Sequence, residues 1–189
     1  AGCGNTSGDV YSNEVQVFDG KLGNVLIVVR NPPDKFGDGV HAVPSEEVVL
    51  DQRNCMYHPR VAAAAVGQKV TFVNSDAIFH NVRSVTTQNQ KFNVAMPKKD
   101  QRITKVFDKP ELFLQAKCSV HPWMGAYVAI MDHPYYSVTG ENGQFLLPAL
   151  PSGKYQVEAW HEVFGTQAQE ITVGDGNMTP VSFTFKGKP

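Results

Sequence analysis

Residues 107–128, FDKPELFLQAKCSVHPWMGAYV, decide how the rest of the chain is read. Cys118, His121 and Met124 stand there at three-residue intervals, a thiol, an imidazole and a thioether in one short segment. These are the soft and borderline donors that favour copper, and a tight loop can turn all three toward one point. The flanks, 111–116 (ELFLQA) and 126–131 (AYVAIM), carry β-branched and aromatic residues with period-two alternation, so the donors sit on a loop between two strands.

The same strand signal recurs outward from this segment. Residues 24–30 (NVLIVVR), 69–73 (KVTFV), 155–160 (YQVEAW) and 179–185 (TPVSFTF) read as strands. Between them lie turn formers such as Asp19-Gly20, Asn31-Pro32-Pro33, Gly37-Asp38-Gly39, Glu141-Asn142-Gly143 and Pro151-Ser152-Gly153. The one helix-like run, 60–66 (RVAAAAV), is short and precedes Gly67, and is read as a strand before a turn. The expectation is an all-β protein built of sandwiches.

Composition narrows the class. With 189 residues, 42% of them hydrophobic, and 12 Pro beside 16 Gly, the chain suffices for one large or two small domains. No apolar run approaches the roughly 18 residues of a membrane span. A net charge of −1 argues against nucleic acid as a partner. That sum hides a polarity, because 48–133 holds 11 Lys/Arg against 6 Asp/Glu while the flanks hold 6 against 12. No Ser-His-Asp order, phosphate loop or paired catalytic carboxylate stands out, so the expectation is that the chain is not an enzyme.

A further donor appears upstream in 70–84, VTFVNSDAIFHNVRS, where an apolar strand ends in Asn74-Ser75-Asp76 and His80 opens the next segment. A second imidazole is what a Cys-x2-His-x2-Met loop lacks for a His2Cys plane with a weak axial Met. Here the sequence resembles the cupredoxins. Residues 59–82 look like the strand pair delivering the first His, and 107–128 like the closing hairpin, with the amicyanin-like spacing that is two residues tighter between His and Met than in plastocyanin. The resemblance implies a Greek-key β-sandwich over 48–133 and one type 1 copper per chain, held by His80, Cys118, His121 and Met124. It further implies that Asn81 ties the two ligand-bearing loops together, and that Pro122, Trp123 and Gly125 surround His121 as a docking patch.

The flanks resemble a second family. Thr139, Gly143 and Phe145, followed by Leu150-Pro151-Ser152-Gly153-Lys154-Tyr155, are similar to the T-x-x-x-G-x-F strand and LP-x-G-x-Y turn of carboxypeptidase-regulatory-like, or transthyretin-like, sandwiches. The first strand of that Ig-like fold is absent from the C-terminal part, and 22–29 look like it. The expected organisation is therefore a discontinuous sandwich, 1–47 with 134–189, interrupted by the copper module at 48–133. Bacterial proteins of this composite kind are labelled methylamine-utilisation or cupredoxin-like.

Cys3 and Cys55 remain. In the resembling family a Cys-Gly near the start and a Cys in a DQ-x-x-C segment recur, here Cys3-Gly4 and 51–55, which implies a disulfide suited to an oxidising periplasm. A lipid anchor on Cys3 is the alternative. His58, His133 and His161 lack the clustering a second metal site needs. The functional expectation is an extracytoplasmic one-electron carrier working with an acidic redox partner. Its rival is an accessory subunit of a membrane-associated electron-transfer complex, with copper absent or incidental.

Overall fold

The computed structural model describes residues 3, 13–37, 41–174 and 179–187. Gly4, Asp38 and Gly39, named above in a cysteine motif and a turn, lie outside them. In chain order the strands begin with the short hairpin β1 (Val17–Phe18) and β2 (Lys21–Leu22), then β3 (Leu26–Val29). Nine follow: β4 (Val48–Arg53), β5 (Met56–His58), β6 (Val61–Ala65), β7 (Lys69–Asn74), β8 (His80–Val85), β9 (Asn93–Met96), β10 (Gln101–Val106), β11 (Glu111–Lys117) and β12 (Gly125–Met131). The last are β13 (Tyr136–Val138), β14 (Gly153–His161) and β15 (Gly165–Val173). The all-β class expected from the sequence is the class observed, and the Ala-rich run is strand β6.

The chain divides into two compact units, the first holding 1–13 with 42–132 and the second 14–41 with 133–189. In the first, β10-β7-β4-β5 form one sheet and β6-β12-β11-β8-β9 another. Leu50, Phe72, Val82, Leu114, Val128 and Ile130, each at most 1% exposed, fill its core. The two sheets supply that core by pointing every second side chain inward, as in β11, where Leu114 and Ala116 are buried and Phe113 is exposed.

In the second unit the sheet order is β13-β3-β14-β15, all antiparallel. β3 stands inside it, with all four residues buried, as expected of an apolar run paired on both sides. Val25, Ile27, Val29, Tyr135, Val157 and Ala159 make the core. Thr139 Oγ1 donates to the Leu22 carbonyl at 2.9 Å and accepts from the Val25 amide at 3.0 Å, tying the two chain segments across 114 residues or more.

Three expectations need correction. Residues 42–47 belong with the first unit and His133 with the second; at that first boundary Gln68 donates to the Glu46 carbonyl at 2.8 Å and the Glu47 carboxylate engages Thr71 and Arg102. Segment 179–185 is not a strand. Its Ser182 and Thr184 carbonyls accept from the side chains of Gln169 and Gln167, at 2.7 and 2.8 Å, where a strand's would accept from backbone amides. Lastly, Cys3 belongs with the first unit through its disulfide to Cys55. A sulfur in a disulfide cannot also carry a lipid thioether, so the anchor alternative does not hold in this structure.

The disulfide closes a separation of 52 residues. On the chain-entropy account a loop of that size is worth about 4 kcal/mol. Replacing both Cys3 and Cys55 with Ser should lower the unfolding free energy of the first unit by about that amount, measured by denaturant titration. An unchanged midpoint would contradict it.

Candidate metal centre

The site is assembled by two loops whose courses follow from side-chain hydrogen bonds. At the end of β7, buried Asn74 donates Nδ2 to the Ile78 and Met96 carbonyls at 2.9 and 2.8 Å, while its Oδ1 accepts from the Asp76 amide at 3.0 Å. An Asx turn of this kind replaces backbone partners and fixes the path from β7 into β8. It delivers His80, with no exposed surface, as the first residue of β8.

The second loop joins β11 to β12. The Met124 amide donates to the His121 carbonyl at 2.9 Å, and the Cys118 amide to the Met124 carbonyl at 3.3 Å. The turn is therefore closed by its own backbone. Arg60, itself buried, donates to the Gly125 carbonyl at 2.8 Å and holds the base of the hairpin. Asn81 joins the two loops, its Oδ1 accepting from the Ser119 amide at 2.6 Å. Its Nδ2 donates to Asn93 Oδ1 at 2.5 Å, which fixes the amide's orientation.

These loops bring three expected ligands together. His80 Nδ1 lies 3.0 Å from His121 Nδ1, and Cys118 Sγ lies 3.6 Å from His121 Nδ1. Metal–nitrogen bonds near 2.0 Å and metal–sulfur bonds near 2.3 Å, in a tetrahedral to trigonal array, put two nitrogens about 3.3 Å apart and nitrogen and sulfur about 3.6 Å apart. The donor spacing fits one bound ion. Met124 is buried on the same loop, and Asn81 Oδ1 is 3.4 Å from the Cys118 sulfur.

The electrostatics suit a thiolate ligand. Burial pushes the Cys118 thiol up, but hydrogen bonding to His80 and to the Asn81, His121 and Val120 backbone outweighs this and brings it down to about 6. The sulfur is thus largely anionic at neutral pH, which metal binding requires.

Pro122 and Trp123 are exposed, Trp123 to 47%, and Gly125 is half-buried. The Trp123 ring sits 5.3 Å from that of His121, and its Nε1 donates to the Cys55 carbonyl at 3.2 Å. Trp123 is therefore a surface residue anchored at one atom. Val120 and Phe79, chain neighbours of two ligands, are exposed as well, and sequence reasoning missed them. It also missed Arg60 and Asp76, whose Oδ2 lies 2.9 Å from His80 Nε2. Among the described residues no metal-competent cluster includes His58, His133 or His161. His161 is buried, its ring 4.9 Å from that of Phe164.

A profile of the carboxypeptidase regulatory-like domain matches residues 119–186. The match begins ahead of the second unit, since β12 pairs with β11 and β6 of the first, and it leaves out β3. No curated protein matches the chain. Among solved structures, a Cu(I) amicyanin carrying a methionine-to-alanine substitution is similar at 23% identity and TM-score 0.40, over 55% of this chain and 97% of its own. A purple cupredoxin from Nitrosopumilus maritimus is similar at 23% identity and TM-score 0.39, over 44% and 98%. A copper-containing nitrite reductase from Thermus scotoductus SA-01 is similar at 23% identity and TM-score 0.42, over 54% of this chain and only 27% of the enzyme. Among the described residues, no helix is long and apolar enough to cross a membrane.

Proposed function

We propose that this chain is an extracytoplasmic one-electron carrier with one copper ion per molecule, held by His80, Cys118 and His121 with Met124 as the weak fourth donor. The observation that carries this reading is the convergence of His80 Nδ1, His121 Nδ1 and the Cys118 sulfur on one point. Copper bound there would supply a one-electron couple. The protein's part is to keep the donors still, since thiolate and imidazole suit both Cu(I) and Cu(II) and a fixed frame lowers the reorganisation that transfer requires. Backbone closure of the 118–124 turn, the Asn81 bridge and the Arg60 tether all serve that end. Cys118 Sγ is buried in the core, so electrons would leave through half-buried His121 at the surface.

The partner that fits is a redox protein docking on Pro122, Trp123 and Gly125 around His121. An acidic face on it would complement the basic excess of 48–133 and speed encounter. Carriage rather than turnover is the proposed role. Met124→Gln tests it through the potential: a harder oxygen donor favours Cu(II), so the midpoint should fall, a tenfold change in relative affinity being about 59 mV for one electron. Protein-film voltammetry on both proteins reads this. A rise, or no reversible wave from the parent protein, would contradict the proposal.

A further inference from the structure

The Cys3–Cys55 bridge borders both imidazoles of the metal centre. The sulfurs of Cys3 and Cys55 and a ring nitrogen of His121 lie within 4.8 Å of one another, and the Cys55 sulfur, an Asp76 oxygen and a His80 nitrogen form a second group of that size. Cys55 is held in place by contacts that do not involve its sulfur. Its amide and that of Asn54 donate to the Asp76 carboxylate at 2.9 and 2.8 Å, and its carbonyl accepts from Trp123 Nε1 at 3.2 Å. Asn54 and Cys55 turn the chain with φ of 53° and 55°, a left-handed conformation uncommon outside glycine, which the two amide bonds fix. Opening the bridge therefore leaves the buried Cys55 sulfur beside His121. Cys3 is half-buried and packs on the same core.

We propose that reduction of this bridge creates a second metal site, in which Cys3, Cys55 and His121 hold Cu(I). The reductant is a dithiol. Its thiolate attacks the half-buried Cys3 sulfur and the Cys55 sulfur leaves; the dithiol's other sulfur then attacks the mixed disulfide and releases Cys3. The dithiol ends as a disulfide, and its two electrons and two protons end on Cys3 and Cys55. Each of these thiols gives its proton to solvent as it binds the metal. Two thiolates and one imidazole are a soft set that suits Cu(I), which accepts three donors, whereas a closed Zn(II) site takes four. His121 belongs to both donor sets, so the redox state of the bridge decides which sulfurs stand ready beside that ring. The second site stands on this geometry alone and does not depend on copper at Cys118.

The test uses full-length Cys118→Ser protein, in which any thiolate on the metal must come from Cys3 or Cys55. One portion is left oxidised and another is reduced with a dithiol, freed of it by anaerobic gel filtration, and both are titrated with Cu(I) against bicinchoninate. The reduced form should show an ultraviolet copper–thiolate band that saturates at one Cu(I) per chain, and the oxidised form should show none. Adding His121→Ala should weaken binding by at least the roughly 10- to 100-fold that loss of even an outer partner of a ligand costs. A reduced form without the band, or an affinity that His121→Ala leaves unchanged, overturns the proposal. So does a reduced form whose circular dichroism shows lost β structure, because the site needs its frame. If Cys118→Ser does not fold, the parent decides. In reduced parent protein, excess Cu(I) should protect Cys3 from alkylation, read by mass spectrometry, and unslowed alkylation of Cys3 overturns the proposal. A parent that takes up no Cu(II) sinks the carrier reading and leaves these outcomes as they are, since none of them depends on Cys118.

Discussion

Cys118→Ser is expected to abolish the intense visible absorption of the copper-loaded protein while leaving it folded. The band requires a thiolate bonded to the metal, and a serine hydroxyl, which stays protonated at neutral pH, cannot replace it. The fold does not depend on that sulfur. Cys118 is one of many buried residues in a core led by Leu50, Phe72, Val82, Leu114 and Val128. A serine hydroxyl would also find Asn81 Oδ1, the atom 3.4 Å from the sulfur it replaces. The stability change should stay within about 1.5 kcal/mol, the size of one ordinary hydrogen bond gained or lost. Visible spectroscopy with a circular-dichroism melt reads both. Persistence of the band in the variant would remove Cys118 from the site.

The second large effect concerns the other unit. A fragment 133–189 is expected not to fold, although it holds most of the regulatory-like match. Its sheet lacks β3, which stands between β13 and β14 with Leu26, Ile27, Val28 and Val29 no more than 1% exposed. Four buried aliphatic side chains at about 1.5–3 kcal/mol each amount to roughly 6–12 kcal/mol, as much as a small domain's whole stability. The fragment also loses the Val29 amide bond to the Tyr135 carbonyl and the Arg30 amide bond to that of Gln156, at 3.0 and 2.9 Å. A cooperative thermal transition in 133–189 alone would contradict this, and would mean that β3 is dispensable to its neighbours.

How much of this was legible depends on the range over which each feature is decided. Cys118, His121 and Met124 lie within seven residues, so spacing alone brought them together; the need for a second imidazole pointed to His80 just past a strand and loop, and the family resemblance then implied the whole set. The Cys3–Cys55 bridge likewise came from resemblance, and the structure contains it. Asp76 was not legible, because a carboxylate in an irregular loop carries no periodic signal. The Asn74-Ser75-Asp76 turn formers shortly before His80 were the one available cue. Arg60 reads as the start of an Ala-rich run, and only its approach to Gly125, 65 residues away, gives it a task. The boundary near residue 47 was misplaced for a similar reason, since Glu46 and Glu47 are held by Gln68, Thr71 and Arg102, partners distant in sequence. Segment 179–185 alternates as a strand does, and its Phe183 and Phe185 do pack on the second core. What alternation cannot reveal is that Gln167 and Gln169 satisfy its carbonyls through side chains.

The proposed role requires one copper ion where His80, Cys118 and His121 converge, so the decisive experiment is titration of the metal-free, disulfide-intact protein with Cu(II). An intense blue absorption should rise linearly to a break at one copper per chain, bleach on one-electron reduction and return on reoxidation. A protein that takes up no copper, or that binds one equivalent without a thiolate charge-transfer band, would contradict it.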